Sequence, residues 1–210
     1  LVFGKRAEDG VLRGRRFYHG PLGFTLELPA GWHVENLPDR LVARAPDGKA
    51  LVQLTTTDRN RRLTPREFLL RRIDLRSLRD ERAFPVHGLP GHTALGRADT
   101  PWGRRWVRYV VLFLDDRAYL LAGATDDPAD PRRDAATLAT ARSFHRLRPG
   151  ERRLAQPLRL HLVRARPGTR YAALARRSPL PEHAADLLRL LNHDWPRGEP
   201  RPGQLLKVVR

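Results

Sequence analysis

The stretch from Arg13 to Asn36, RGRRFYHGPLGFTLELPAGWHVEN, sets the first condition on the fold. Phe24, Leu26 and Leu28 alternate with Thr25 and Glu27, which is the period of a strand with one buried face. Pro29 ends that strand, and Gly31 turns the chain so that Trp32 folds back onto the same apolar face. A strand that brings its own aromatic cover is read as the nucleus of a sheet. Nothing in it has catalytic character.

The rest of the chain supplies partners for that strand. Arg40–Ala45 and Ala50–Thr57 read as two strands, and Pro46-Asp47-Gly48-Lys49 between them carries turn chemistry, so a hairpin is expected. In Leu63-Thr64-Pro65-Arg66-Glu67-Phe68, Thr64 caps a helix, Pro65 suits its first position and Glu67 completes a capping box, with Leu63 and Phe68 placed as a staple. This helix is expected to run to about Leu78, burying Phe68, Leu69, Ile73 and Leu75 and turning Arg66, Arg71, Arg72, Arg76 and Arg79 to solvent. Val86 to Ala98 is interrupted by Gly88, Pro90, Gly91 and Gly96 and reads as one short, irregular strand. Arg104–Leu114 and Arg117–Gly123 are the strongest strands, joined at Asp115-Asp116. Asp130-Pro131 opens a second helix that runs to about Ser143.

This order predicts an α+β domain over 15–147, an antiparallel sheet with flanking helices. Residues 1–14 read as a linker or arm, and 148–157 as a second linker. Beyond it Leu158–Val163 reads as a strand, Pro167-Gly168 as a turn, Thr169–Arg177 and Pro181–Leu191 as short helices, Asn192–Gly203 as a Pro/Gly-rich loop and Gln204–Val209 as a closing strand. The second unit is therefore a small β-α-α-β domain over 158–210.

Composition limits the function. The 210 residues are 40% hydrophobic and 30% charged, as in a soluble globular protein. No run approaches the ~18 apolar residues that span a bilayer. No signal peptide is recognisable, and the chain starts at Leu1 without Met, which is expected of a processed or excised piece. There is no Cys, which removes disulfides, thiolate nucleophiles and Cys-based zinc sites together.

A net charge of +17 points to a polyanion partner such as nucleic acid, anionic lipid or an acidic cell-wall polymer. It also fits a plain coding bias, because Lys occurs only at positions 5, 49 and 207 and the Arg residues are scattered singly or in pairs. Residues 151–210 hold 13 basic and 5 acidic side chains, against 27 and 18 in residues 1–150, so the C-terminal unit is the more basic per residue.

Catalytic signatures are missing from the sequence. There is no His-Glu-x-x-His helix, since His183 follows Glu182 and no second His lies four residues on. His87 and His92 flank Gly88-Leu89-Pro90-Gly91, which reads as a turn with polar ends and lacks a third ligand for a metal. Asp126, Asp127, Asp130 and Asp134 lack the spacing of a calcium loop, and Asp130 has a sufficient role as a helix cap. Ser77, Ser143 and Ser178 sit in no nucleophile elbow, and no glycine loop cradles phosphate. Trp102, Trp106, Tyr109 and Phe113 interleave with Arg104, Arg105 and Arg108, as a stacking platform for single strands does. However, Trp106, Arg108, Val110 and Leu112 alternate with Val107, Tyr109, Val111 and Phe113, so at least one of the two faces is core. The chain by itself is expected not to be an enzyme, and no cofactor or metal is assigned to it.

Two resemblances reach specific residues. Gly168-Thr169-Arg170-Tyr171-Ala172-Ala173-Leu174-Ala175, then Leu187, Leu191 and Asn192, then Pro202-Gly203-Gln204-Leu205-Leu206-Lys207-Val208-Val209, resemble the motifs of LysM domains. The likeness covers about 158–210; Thr169 stands where Asp is usual and Arg170 where Thr is usual. It implies a β-α-α-β fold that binds N-acetylglucosamine-containing glycans through its first and last loops. The implied ligand-binding residues are Gly168, Thr169, Arg170, Tyr171, Asn192, His193 and Trp195.

The opening stretch, through Arg13-Gly14-Arg15-Arg16-Phe17, His19, Pro21, Gly23-Phe24, Pro29, Gly31-Trp32 and Asn36, resembles the region downstream of the catalytic domain in exported HtpX-like zinc metallopeptidases of bacteria. Its Gly-Phe…Pro-x-Gly-Trp part is also similar to PsbP-like sheet domains. Together these imply a non-catalytic accessory region in the cell envelope, periplasmic, docking a peptidase to peptidoglycan or to protein clients. Zinc is then expected only in a catalytic domain outside these residues. The rival expectations are a nucleic-acid- or other polyanion-binding module and a self-contained hydrolase.

Overall fold

The computed structural model describes residues 2–3, 9–72, 78–127, 130–180 and 183–210. The described strands are β1 (Val2–Phe3), β2 (Val11–Arg13), β3 (Arg16–His19), β4 (Phe24–Glu27), β5 (His33–Asn36), β6 (Leu41–Arg44), β7 (Ala50–Asp58), β8 (Leu78–Ala83), β9 (Gly91–Thr100), β10 (Gly103–Leu114), β11 (Arg117–Thr125), β12 (His145–Arg146), β13 (Leu158–Arg164) and β14 (Leu205–Val209). The helices are α1 (Pro65–Arg72), α2 (Pro131–Ser143), α3 (Tyr171–Ala175) and α4 (Ala184–Leu191). Three antiparallel sheets result, with strand orders β5-β6-β7-β11-β10-β9-β8, β12-β4-β3-β2 and β1-β13-β14.

This corrects the expected α+β architecture of a sheet with flanking helices. Among the described residues the fold is mostly β, 42% strand against 19% helix, in three sheets with four short α-helices. The physical reason lies in what covers the large sheet. Val110, Leu112 and Leu114 of β10 pack against Phe24, Leu26 and Leu28, so on that face a second small sheet does much of the covering, with α2 beside it. Val107, Val111 and Phe113, on the opposite face of β10, meet Phe68 and Leu69 of the short helix α1.

The aromatic cover predicted for the opening strand is present. Trp32 packs on the core, and Phe24, Tyr119 and Phe144 meet with ring centroids 4.8–5.0 Å apart, joining β4, β11 and the end of α2. Burial pushes the Tyr119 hydroxyl up to about 12, and it donates to the Leu22 carbonyl. Thr25, placed on the solvent side by alternation, is fully buried. The segment read as a linker folds back over that side, where Leu147 and Ala155 cluster with Tyr18. The buried Thr25 hydroxyl therefore needs an internal acceptor and finds the Phe17 carbonyl at 2.8 Å. Arg13 fixes the same segment by donating to the carbonyls of Leu154 and Gln156.

Local chemistry forms as its residues require. The 41–44/50–58 hairpin closes through Gly48 N–H to the Ala45 carbonyl and Lys49 N–H to Asp47. Thr64 and Glu67 exchange both bonds of a capping box, and Asp130 caps α2 by accepting from the Arg132 N–H. Ile73 and Leu75, expected on the buried face of the first helix, lie outside the described residues. Leu78 already belongs to β8, an exposed edge strand of sequence LRDERA whose charges hide it from any apolar period.

The glycines read as interruptions fall in or beside a ten-residue strand, β9. Gly91 is there for close approach, since a Cβ would lie 2.4 Å from the Phe84 carbonyl oxygen. Gly123 does the same for α2, where a Cβ would stand 1.8 Å from Thr137 Oγ1.

Gly123→Ala is therefore expected to push α2 off β11 and to destabilise the fold by about 1–3 kcal/mol, as overpacking of a tight contact does. Guanidinium denaturation measures it; an unchanged midpoint would mean that α2 is not seated on β11 in this way.

Candidate functional site

The C-terminal segment begins and ends with strands that pair antiparallel, β13 with β14, and the two short helices lie between them. Its apolar cluster holds Ala165, Tyr171, Leu188, Leu206 and Val208. Tyr171 is fully buried, yet it ties two distant loops together. Its hydroxyl donates to Asp194 at 2.5 Å and its backbone N–H donates to Glu199 at 2.9 Å. The Pro167–Tyr171 and Asn192–Gly203 loops, separated in sequence by α3 and α4, thus meet at one end of the segment. Backbone bonds continue the seam, from Gly203 N–H to the Ala165 carbonyl and from Ala165 N–H to the Gln204 carbonyl.

The seven residues implied as ligand-binding are all on these two loops or at their edges, and they divide by role. Gly168 holds the first turn at φ +81, and the Thr169 hydroxyl accepts from the Arg166 N–H. Tyr171 is core. Asn192 braces β14: its amide donates to the carbonyls of Leu188 and Lys207 and accepts from the Lys207 N–H at 2.7 Å. Arg170, His193 and Trp195 face solvent, Trp195 with 56% of its surface exposed.

Three residues that no motif singled out complete the arrangement. Arg189 on α4 is clamped between Asp186 and Glu199, at 3.0 and 2.6 Å. Burial works to raise the Glu199 carboxyl, and the Tyr171 N–H with the Arg189 guanidinium outweigh it, so it lies below the usual carboxylate range. Burial first, and the bond to Asp194 second, push the Tyr171 hydroxyl up. It stays a neutral donor at any physiological pH. Asp194 also accepts from Gln204. The only sequence sign of this set is that Asp194 and Glu199 are the two acids of an otherwise basic loop.

Other constellations are distributed differently from what spacing alone suggests. Both faces of β10 are covered, and Trp106 lies near its open end, with the guanidiniums of Arg79 and Arg97 at 4.5 and 5.4 Å from its ring. Beside it a cavity of ≈ 320 Å³ is bounded by Arg108, Arg133 and Asp134. Arg108 is 3% exposed and fully engaged by Asp80 and Asp134. His92 pairs with Glu81, while His87 stands against His145, so the two histidines of the Gly-Leu-Pro-Gly turn go to different neighbours. Among the described residues no group of three His, Cys, Asp or Glu is placed to hold a metal ion, and no helix is long and apolar enough to cross a membrane.

A smaller pocket of ≈ 90 Å³ lies at the rim between the two larger sheets, lined by Phe17, His19, Phe24, Asn36 and Tyr119. His19 stacks on Phe24, and its Nδ1 accepts from the Leu22 N–H at 3.2 Å. Burial pushes this imidazole below its ordinary 6.5, against the opposing charge of Asp9.

Comparison with known proteins gives no family assignment: no protein-family model matches the chain, and no curated protein matches its sequence. Similar solved structures include cyanobacterial PsbP from Synechocystis sp. PCC 6803, at 14% identity and TM-score 0.49, covering 65% of this chain and 94% of that one. A protein from Bacteroides thetaiotaomicron is similar at 8% identity and TM-score 0.48, over 89% of this chain and 64% of that one. A Pseudomonas aeruginosa protein of unknown function is similar at 16% identity and TM-score 0.40, over 60% and 92%. A PsbP structure, the name carried by one of the expected resemblances, is thus among the similar ones.

The His19 geometry has a consequence for stability against pH. The folded state refuses a proton that the unfolded chain accepts near pH 6.5, so stability contributed by neutral His19 is present above that pH and falls over the acid range below it. His19→Gln is expected to make the loss of melting temperature over that range shallower than in the parent. An identical slope in the two proteins would show that His19 is not held neutral.

Proposed function

We propose that this chain is a non-catalytic binding region, and that its ligand surface is the loop end of residues 158–210. The observation that carries the reading is the Tyr171 junction. One buried residue, through its hydroxyl and its backbone N–H, holds the Pro167–Tyr171 and Asn192–Gly203 loops together and leaves Trp195 and Arg170 open to solvent on them. A rigid seam with an exposed aromatic ring beside it is suited to holding a ligand rather than transforming one. On the resemblances set out above, the chain docks an exported zinc metallopeptidase of the bacterial envelope to peptidoglycan, with zinc confined to a catalytic domain outside these residues. Residues 15–147 act in this reading as a PsbP-like scaffold domain, and 158–210 as a LysM-like one.

The division of roles within the seam makes the test selective. Trp195→Ala removes an exposed ring without touching the junction, whereas Tyr171→Ala removes a core side chain and so reports on folding. Co-sedimentation with purified peptidoglycan is expected to pellet the parent chain and to leave Trp195→Ala in the supernatant, with circular dichroism unchanged. A parent chain that stays in the supernatant contradicts the docking reading.

A further inference from the structure

Positive charge is answered unevenly across the molecule. In residues 9–157 many arginines meet carboxylates: Arg15 and Arg16 with Glu27, Arg66 with Glu81, Arg108 with Asp80 and Asp134, and Arg146 with Asp115. Residues 158–210 contain eleven Lys and Arg against four Asp and Glu. Their three described carboxylates are taken up locally, Asp186 and Glu199 by the single Arg189 and Asp194 by Tyr171 and Gln204. The other ten cations have no ion-pair partner among the described residues. The acids here organise the loops instead of neutralising the surface.

Several of those unanswered cations gather where the loops meet. Arg164 and Arg166 flank Ala165, whose backbone bonds to Gly203 and Gln204, and Arg201 lies two residues before Gly203. Arg170 precedes the Tyr171 N–H that is bound to Glu199, and Arg197 lies between Trp195 and Glu199. All five are exposed, as is Trp195. Guanidiniums are planar forks that match carboxylate and phosphate, and an exposed indole offers its face to one ring.

The aromatic arrangement decides between polyanions. A single-stranded nucleic acid is held by stacking successive bases on successive rings. Here Trp195 is the one exposed Trp, Tyr or Phe of the loops, because Tyr171 is buried, and His193 is the only other aromatic ring they expose. One ring among unpaired arginines fits a sugar unit with acidic groups on or beside it. We infer that the loop end of residues 158–210 binds an anionic glycan and prefers it to a neutral glycan built from the same sugar. This rests on the loops being the ligand surface, and adds that charge selects the ligand.

The test uses the full chain and two soluble probes of equal length. One is a chitin oligosaccharide, N-acetylglucosamine alone; the other is a hyaluronan oligosaccharide, N-acetylglucosamine alternating with glucuronate. Fluorescence titration is expected to show about tenfold tighter binding to hyaluronan at low salt, as a few exposed charge pairs supply. The difference should close at roughly 0.5 M salt, where screening is strong. The Arg170→Gln, Arg201→Gln double variant should lose the preference and keep its melting temperature, and Trp195→Ala should weaken both ligands. Equal affinity for the two probes, or preference for chitin, overturns charge selection and leaves the docking reading standing. Binding to neither also overturns it, and peptidoglycan co-sedimentation then decides the docking reading separately. Tighter binding to an oligo-dT of matched charge, indifferent to Trp195→Ala, overturns it in favour of nucleic acid.

Discussion

Strand β10 is pressed from both sides, and the rest of the larger assembly follows from that. A strand with Val110, Leu112 and Leu114 on one face and Val107, Val111 and Phe113 on the other cannot be served by a single covering layer. The chain places α1 against one face, and β4 with α2 against the other. The contact among Phe24, Tyr119 and Phe144 is where the two sheets and the end of α2 lock, at centroid spacings typical of strongly interacting rings. Toward the other end of β10 the apolar run gives way to Arg108. Its burial is tolerable because Asp80 and Asp134 reach it from β8 and α2.

What could be read from the sequence was whatever local chemistry settles. The capping box at Thr64 and Glu67, the Asp130 cap, the 46–49 turn and the β10–β11 hairpin all depend on residues close in the chain. What could not be read depends on distant neighbours. LRDERA has no apolar period, because an edge strand is stabilised by pairing alone and protects itself with charge. Gly91 looks like a break until the backbones of Phe84 and Val111 are brought against it. The face of β4 bearing Thr25 looks solvated until residues 147–155 return to cover it. The covering of one face of the large sheet by a second sheet likewise depends on residues far apart in the chain.

The candidate site divides along the same line. Its motif residues do lie on two loops that come together, so their position was legible. The part each plays was not, because Tyr171 and Asn192 face inward and hold backbone or carboxylate groups. Arg189, Asp194 and Glu199 had no motif to mark them. Nor can a net charge of +17 show where charge is left unanswered. That follows from the described carboxylates of residues 158–210 being taken up by Arg189, Tyr171 and Gln204 while arginines of the larger sheets find partners.

The account therefore makes the loop end of residues 158–210 the place where ligand is held, and makes the arginine-flanked Trp106 cavity a feature of the scaffold. The four tryptophans give four indole N–H signals in a proton–nitrogen correlation spectrum, which separates the two places directly. During titration with the hyaluronan oligosaccharide, the account predicts that the Trp195 signal moves to saturation while those of Trp32, Trp102 and Trp106 stay in place. Saturable movement of Trp106 with Trp195 unmoved would contradict it.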